Sequence, residues 1–249
     1  MRSIAAAITL FTRIPMWRWV SIPQQAYSSA VVWWPLVGWI TGGAAALSLF
    51  AAAQVLPVLP AAVIAIVARL LLTGALHEDG LADFCDGFGG GNGKERILEI
   101  MKDSHIGTYG VIGLISYFLL TVALLASLTP AAAAITIFAA DPLAKACTSQ
   151  ITNILPYARP EGAKNRISYS SMTIPQLILN ILPGVIPAAI AALYCQLFPL
   201  AALLPITASC ILISMMRRRI GGYTGDCCGA CCLICEVSVL AGAAVICNL

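Results

Sequence analysis

VIGLISYFLLTVALLASL, Val111 to Leu128, decides the fold, because it runs eighteen residues without a charge. A hydrocarbon core about 30 Å thick needs roughly 20 apolar residues per helix. Only helices and closed barrels satisfy their own backbone there, and a continuous apolar run lacks a barrel strand's alternation. Working outward, similar runs occupy Val31 to Ala53, Leu59 to Leu76 (interrupted by Arg69), and Ala131 to Ile151 (carrying Asp141 and Lys145). Leu177 to Tyr194, Leu200 to Met216 and a short Leu233 to Asn248 complete the series. The expected fold is all-α, a polytopic membrane bundle of six to seven transmembrane helices, with residues 1–249 as one domain.

Composition agrees. Of 249 residues, 60% are apolar and 10% charged, against about 25% charged in soluble proteins; mean hydropathy is +0.90. These values exclude a soluble globular enzyme, a disordered chain, a coiled coil and a basic nucleic-acid binder, so no nucleic-acid partner is expected. Twelve of the 14 Lys and Arg residues fall in alternate connections: Arg2 to Arg18, Lys94 to Lys102, Arg159 to Arg166, and Arg217 to Arg219. The positive-inside rule then predicts a cytoplasmic N-terminus, seven spans and an outside C-terminus. Ile4 to Phe11 is too short, and too soon followed by Arg13, for a cleavable signal. It reads as an interfacial helix, with Trp17, Trp19, Trp33 and Trp34 at headgroup depth. Arg217 to Arg219 reads as an anchor touching anionic lipid.

The acid is concentrated. Seven of the 11 Asp and Glu residues lie between positions 78 and 103. HEDGLADFCDGFGGGNG, His77 to Gly93, continues directly from the second apolar run, so it is expected to be helical. At 3.6 residues per turn, Asp79, Asp83 and Asp86 fall within about 60° of one another. Such a face is unstable without a counter-ion, and hard cations such as Mg²⁺ suit it, above all where phosphates complete the shell. Glu78 is one residue off that face. The glycines from Gly87 to Gly93 are expected to end the helix, and another should begin near Lys94, delivering Lys102 and Asp103 at its far end. Acid, glycine turn and lysine together suggest metal-assisted phosphoryl or nucleotidyl transfer.

At these residues the chain resembles the adenosylcobinamide-GDP ribazoletransferase, or cobalamin synthase, family. The likeness is carried by His77 to Asp83, Asp86-Gly87 and the run MKDSHIGTYG from Met101 to Gly110. It extends to Thr12 to Pro15, Ala158 to Lys164, Gly221 to Asp226, Gly229-Ala230 and Glu236. The resemblance implies a Mg²⁺-dependent, multi-pass enzyme of the bacterial inner membrane, its site facing the cytoplasm among membrane lipid. Its small-molecule substrates would be adenosylcobinamide-GDP and α-ribazole or its 5′-phosphate, and GMP would leave. Residue by residue, Asp83, Asp86, Lys102 and Asp103 become catalytic candidates. Glu78, Asp79, Asp83, Asp86 and Asp103 become candidate metal ligands. His77, Lys102, Arg159, Lys164, Arg166 and Asp226 become candidates for substrate contact. Neutralising Asp83 or Asp86 is then expected to abolish product in a folded protein. A homo-oligomer is left open.

Cys228 departs from the family pattern, which has a Leu there. Cys227, Cys228, Cys231, Cys232 and Cys235 recur at helical intervals. One helix cannot wrap a tetrahedral metal, so close packing is expected rather than a zinc or iron–sulfur site. Asp141 and Lys145, inside a span, read as a polar lining facing the site. Two other functions share part of this pattern. A CDP-alcohol phosphatidyltransferase shares Asp83-x-x-Asp86-Gly87 but requires a later Gly-x-x-x-Asp-x-x-x-Asp that the chain lacks. A transporter would use Arg69, Asp141 and Lys145 near the midplane, whereas the acid here lies at a helix end.

Overall fold

A computed structural model of the chain describes residues 1–159, 169 and 171–247. Eleven α-helices follow one another among them: α1 Arg2–Phe11, α2 Trp34–Ala52, α3 Val58–Thr73, α4 Leu76–Gly90, α5 Lys94–Ile100, α6 Thr108–Ala126, α7 Pro130–Ser149, α8 Ile151–Ile154, α9 Ile174–Tyr194, α10 Phe198–Ile220 and α11 Gly225–Cys247. A 3-10 segment, Gln24–Trp33, leads into α2.

Six of these passages are long and apolar enough to cross a membrane, and α3 with α4 makes a seventh if that bent pair is counted as one. The bend is 93°, and its cause is local. Gly74 and Ala75 both take the left-handed conformation, at φ of 71° and 58°, which ends α3 and starts α4 in a new direction. Gly74 has little room for a side chain, since a Cβ there would lie 2.5 Å from Arg13 Nε. Beyond the bend, α4 lies across the N-terminal ends of α6 and α11 instead of continuing the passage. Expected as a short last span, α11 instead runs 23 residues, about 34 Å at 1.5 Å per residue. Its last residue, Cys247, shares a hollow with Ser127, Thr129 and Tyr194, at the end of the bundle away from α4.

The cation-bearing segments gather at the α4 end. Arg13 N–H donates to Leu72 O at 2.8 Å. Arg159 Nη2 donates to Met101 O at 3.3 Å. Arg219 donates from Nη1 to Phe88 O and from Nη2 to Gly91 O, both at 2.6 Å. Arg219 therefore caps the C-terminal end of α4, where orphan carbonyls need donors, and its guanidinium sits 5.5 Å from the centre of the Phe88 ring. This gives Arg219 a fold-holding role. Replacing it by Gln should cost about 1–2 kcal/mol and lower the melting temperature in detergent by several degrees; an unchanged melting curve would refute the cap.

The helix through the acid ends at Gly90, inside the glycine run expected to end it. Two other expectations change. Trp34 does not present its ring to headgroups: it is 2% exposed and stacks between the rings of Phe11 and His77, while Trp17 and Trp19 remain exposed. Asp141 and Lys145 do not line the site. They pair with each other, and Thr41 Oγ1 donates to Asp141 Oδ2 at 2.9 Å and accepts from Lys145 Nζ at 3.3 Å. Closure of a buried charge pair on its own partners removes most of its cost. Among the cysteines, Cys227, Cys231, Cys232 and Cys235 are fully enclosed along α11, with Cys235 Sγ donating to Pro205 O at 3.3 Å.

Candidate functional site

The site is built where α4 crosses α11. Gly80 and Gly229 make the crossing close. A Cβ on Gly80 would lie 3.0 Å from the Asp226 backbone, and one on Gly229 would lie 3.1 Å from His77 O. Backbone contact at that range brings the acidic face of α4 against Asp226, in the first turn of α11. His77, Asp79 and Asp226 line one cleft of about 190 Å³.

The carboxylates differ in surroundings. Asp79 is exposed and Asp83 half-buried. Asp83 is pushed up to about 7, first by burial and then by repulsion from Asp226, Asp79 and Asp86, with Arg159 opposing. Asp226 Oδ2 accepts from Arg159 Nη2 and from Thr224 Oγ1, each at 3.2 Å. Arg159 is positioned by the strand-like pairing of its own segment with the turn before α11: Ala158 N–H donates to Tyr223 O at 2.8 Å and Tyr223 N–H to Pro156 O at 3.0 Å. Sequence spacing predicted the carboxylates on α4, but the contact with Asp226 is long-range, and only the family likeness pointed to it.

Asp86 is engaged differently. Its Oδ2 accepts from Gly107 N–H at 2.7 Å and its Oδ1 from Gly110 N–H at 2.8 Å. It thereby caps α6 with a full negative charge at the positive end of that helix. A Cβ on either glycine would come within 2.5 Å of the carboxylate, which explains Gly107-x-x-Gly110 in the sequence. The remaining candidates lie apart. Glu78 points into the bundle, 3.8 Å from Arg69 Nη2, and Arg69 also pairs with Glu236 and Tyr117. Asp103 is exposed and accepts from the His105 backbone N–H at 3.0 Å, its carboxylate 2.7 Å from His105 Nδ1; those bonds hold it below the usual carboxylate range. Lys102 is exposed beside it. Lys164 and Arg166 lie outside the described residues.

Among the described residues, no three His, Cys, Asp or Glu side chains form a ready metal cage. Asp79, Asp83 and Asp226 nevertheless suit Mg²⁺. They are hard oxygen donors, and besides burial, which raises Asp83 most, the charges of Asp226 and Asp79 raise it further, a repulsion that a bound cation would relieve. Mg²⁺ is ordinarily held by one or two carboxylates, with waters and substrate phosphates supplying the rest, so an incomplete cage fits its habit.

The Cobalamin-5-phosphate synthase family model matches residues 3–244. Three relatives named adenosylcobinamide-GDP ribazoletransferase are similar over nearly their whole length. That of Leptothrix cholodnii is 37% identical, covering 95% of this chain and 92% of its own. That of Ralstonia nicotianae is 38% identical, with 96% and 93% covered. That of Azorhizobium caulinodans is 36% identical, with 97% and 95% covered. No solved structure matches the chain.

Proposed function

Because the chain belongs to the cobalamin-5-phosphate synthase family, we propose that the cleft between α4 and α11 is where this multi-pass membrane transferase carries out its reaction. The enzyme joins adenosylcobinamide-GDP to α-ribazole in the final assembly step of cobalamin synthesis. A ribose hydroxyl of α-ribazole, or of its 5′-phosphate, attacks the cobinamide-linked phosphorus. A new P–O bond forms, the P–O bond of the pyrophosphate bridge to GMP breaks, and the hydroxyl proton is lost.

One observation carries the placement: Asp79 and Asp226 line the cleft, and Asp83 lies near enough to both that burial and their charges raise it to about 7, with Arg159 opposing. Asp79, Asp83 and Asp226 would hold Mg²⁺. When bound, that ion supplies positive charge to the pyrophosphate oxygens as the leaving group separates. Arg159, held by Asp226, faces the same oxygens and offsets charge on them. Lys102 and Asp103, on an exposed segment after α5, are accessible to the larger substrate.

The gathering of the cationic segments at the α4 end supports a cytoplasmic site in the bacterial inner membrane, with the N-terminus on that side. The closed pair of Asp141 and Lys145 offers no midplane path and so gives a transporter no support. The test is GMP release from adenosylcobinamide-GDP by the purified protein. Release should require both α-ribazole and Mg²⁺. Release without α-ribazole would make the protein a hydrolase, and full activity in excess chelator would remove the metal.

A further inference from the structure

Two cysteines meet at the end of the bundle opposite the site. Cys195 follows the last residue of α9, and Cys247 closes α11. Both line one hollow of about 280 Å³ with Ser127, Thr129 and Tyr194, and the Cys247 thiol is within hydrogen-bonding reach of Cys195. Cys247 is exposed and Cys195 half-buried, so the pair is open to reagents from the aqueous side. The connections at this end, residues 53–57, 127–129 and 195–197, carry no Asp, Glu, Lys or Arg, whereas the cationic segments gather at the α4 end. By the positive-inside rule this end faces away from the cytoplasm, towards the compartment in which disulfides form and persist. The cysteines along α11 make the contrast. Cys231 and Cys235 also approach, with 3.8 Å between their Sγ atoms. Both are fully enclosed and sit one turn apart on the same helix, so no oxidant reaches them.

We propose that Cys195 and Cys247 are a disulfide site that ties the outer end of α9 to the outer end of α11. The inference rests on the orientation given above and not on the transfer reaction. The oxidant is a disulfide-bearing thiol oxidase of the outer compartment. Cys247, the more exposed of the two, attacks one sulfur of the oxidant's disulfide as its thiolate, and the other oxidant sulfur leaves as a thiol. Cys195 then attacks Cys247 Sγ and releases the second oxidant sulfur. One protein S–S bond forms, the oxidant's S–S bond breaks, two electrons pass to the oxidant, and the two cysteine protons end on its thiols. The bond closes a chain loop of about 50 residues, long enough for the loss of unfolded-state freedom to stabilise the fold. It also joins two helices that both pack on α7 and α10. Asp226 lies in the first turn of α11, at the other end of the same helix, so the tie holds that helix in place without touching the chemistry.

The test counts thiols in the full-length protein. Bacterial membranes are quenched in acid, alkylated with N-ethylmaleimide under denaturing conditions without reductant, and digested for mass spectrometry. Of the ten cysteines, all but Cys195 and Cys247 should be alkylated at once. These two should react only after reduction, and one peptide pair should join them. Cys195→Ser should leave Cys247 open to a membrane-impermeant maleimide in intact spheroplasts. The variant should also melt several degrees lower in detergent while still releasing GMP. Ten free thiols in the wild type would overturn the proposal, as would a bond from either cysteine to a different partner. Labelling of Cys247 in Cys195→Ser only after lysis would overturn it as well, because that end would then face the cytoplasm. The wild-type count needs no variant, so a failure of Cys195→Ser to fold leaves the test intact. A wild-type protein that carries the bond but releases no GMP would overturn the transfer reaction and leave the disulfide standing.

Discussion

Asp83→Asn should abolish turnover and, at the same time, stabilise the metal-free protein. The two effects have one origin. Asp83 is raised to about 7 because burial and the charges of Asp226, Asp79 and Asp86 oppose its ionised form. An aspartate in an unfolded chain titrates near 3.9. Below about pH 4 both states are protonated and the site costs nothing. Between about pH 4 and 7 the unfolded chain releases the proton and the folded one keeps it, so stability falls as pH rises; above 7 the full cost is present. Asn carries no charge and escapes that cost. For a half-exposed group, solvent screening reduces the gain to about 1 kcal/mol, or a few degrees in melting temperature. The advantage of Asp83→Asn should be greatest above pH 7, shrink towards pH 4, and narrow when Mg²⁺ is added to the wild type. Turnover should fall at least 100-fold, the scale of losing one preorganised electrostatic group. In the wild type, the Mg²⁺ concentration needed for half activity should rise about tenfold per pH unit below 7, because proton and metal compete for the same oxygens. Near-normal turnover by a stable Asp83→Asn protein would end the metal assignment.

The acidic face could be read along the chain because helical geometry relates residues three and four apart without reference to anything distant. Asp79, Asp83 and Asp86 were therefore expected together on one helix, and α4 carries all three. The spans were legible for a similar reason, since apolar length is a local property. What lay beyond reach depends on contacts between remote segments. Gly74 permits a helix end but does not announce a 93° turn: that Ala75 is left-handed as well, and that Arg13 bonds to Leu72 O beside the bend, cannot be read from a Gly-Ala step. The meeting of α4 with Asp226 joins positions some 140 residues apart in sequence. The stack of Phe11, Trp34 and His77 likewise draws on three separate segments, and a tryptophan at the start of an apolar run looks the same whether it faces lipid headgroups or a core. Charge count alone could not sort Glu78 from Asp79: they are adjacent in sequence, yet one faces Arg69 inside the bundle and the other the cleft.

Asp86→Ala should unfold the site before it alters the chemistry, which separates Asp86 from its neighbour three residues earlier. Both oxygens of Asp86 are already engaged by the backbone N–H groups of Gly107 and Gly110, and the carboxylate stands at the positive end of α6. Alanine leaves two amide donors without a partner and removes the charge that offsets the helix dipole. Hydrogen bonds to charged groups contribute about 1.5–3 kcal/mol each, and such pairs are not additive, so a loss of about 3 kcal/mol is expected. On a chain of this size that corresponds to a fall of roughly 6–12 °C in melting temperature. Asp86→Asn should fall between, since its amide oxygen can accept one bond while its NH₂ meets the other donor. Gly107→Ala and Gly110→Ala provide a check that leaves the charge untouched. Each would press a Cβ to within 2.5 Å of the carboxylate and should destabilise comparably by forcing the latch open. In the fraction of Asp86→Asn that remains folded, the Mg²⁺ concentration for half activity should match the wild type. If instead Asp86→Ala melts like the wild type but needs far more Mg²⁺, Asp86 serves the ion and not the helix, and the acidic face of α4 would act as one metal site along its whole length.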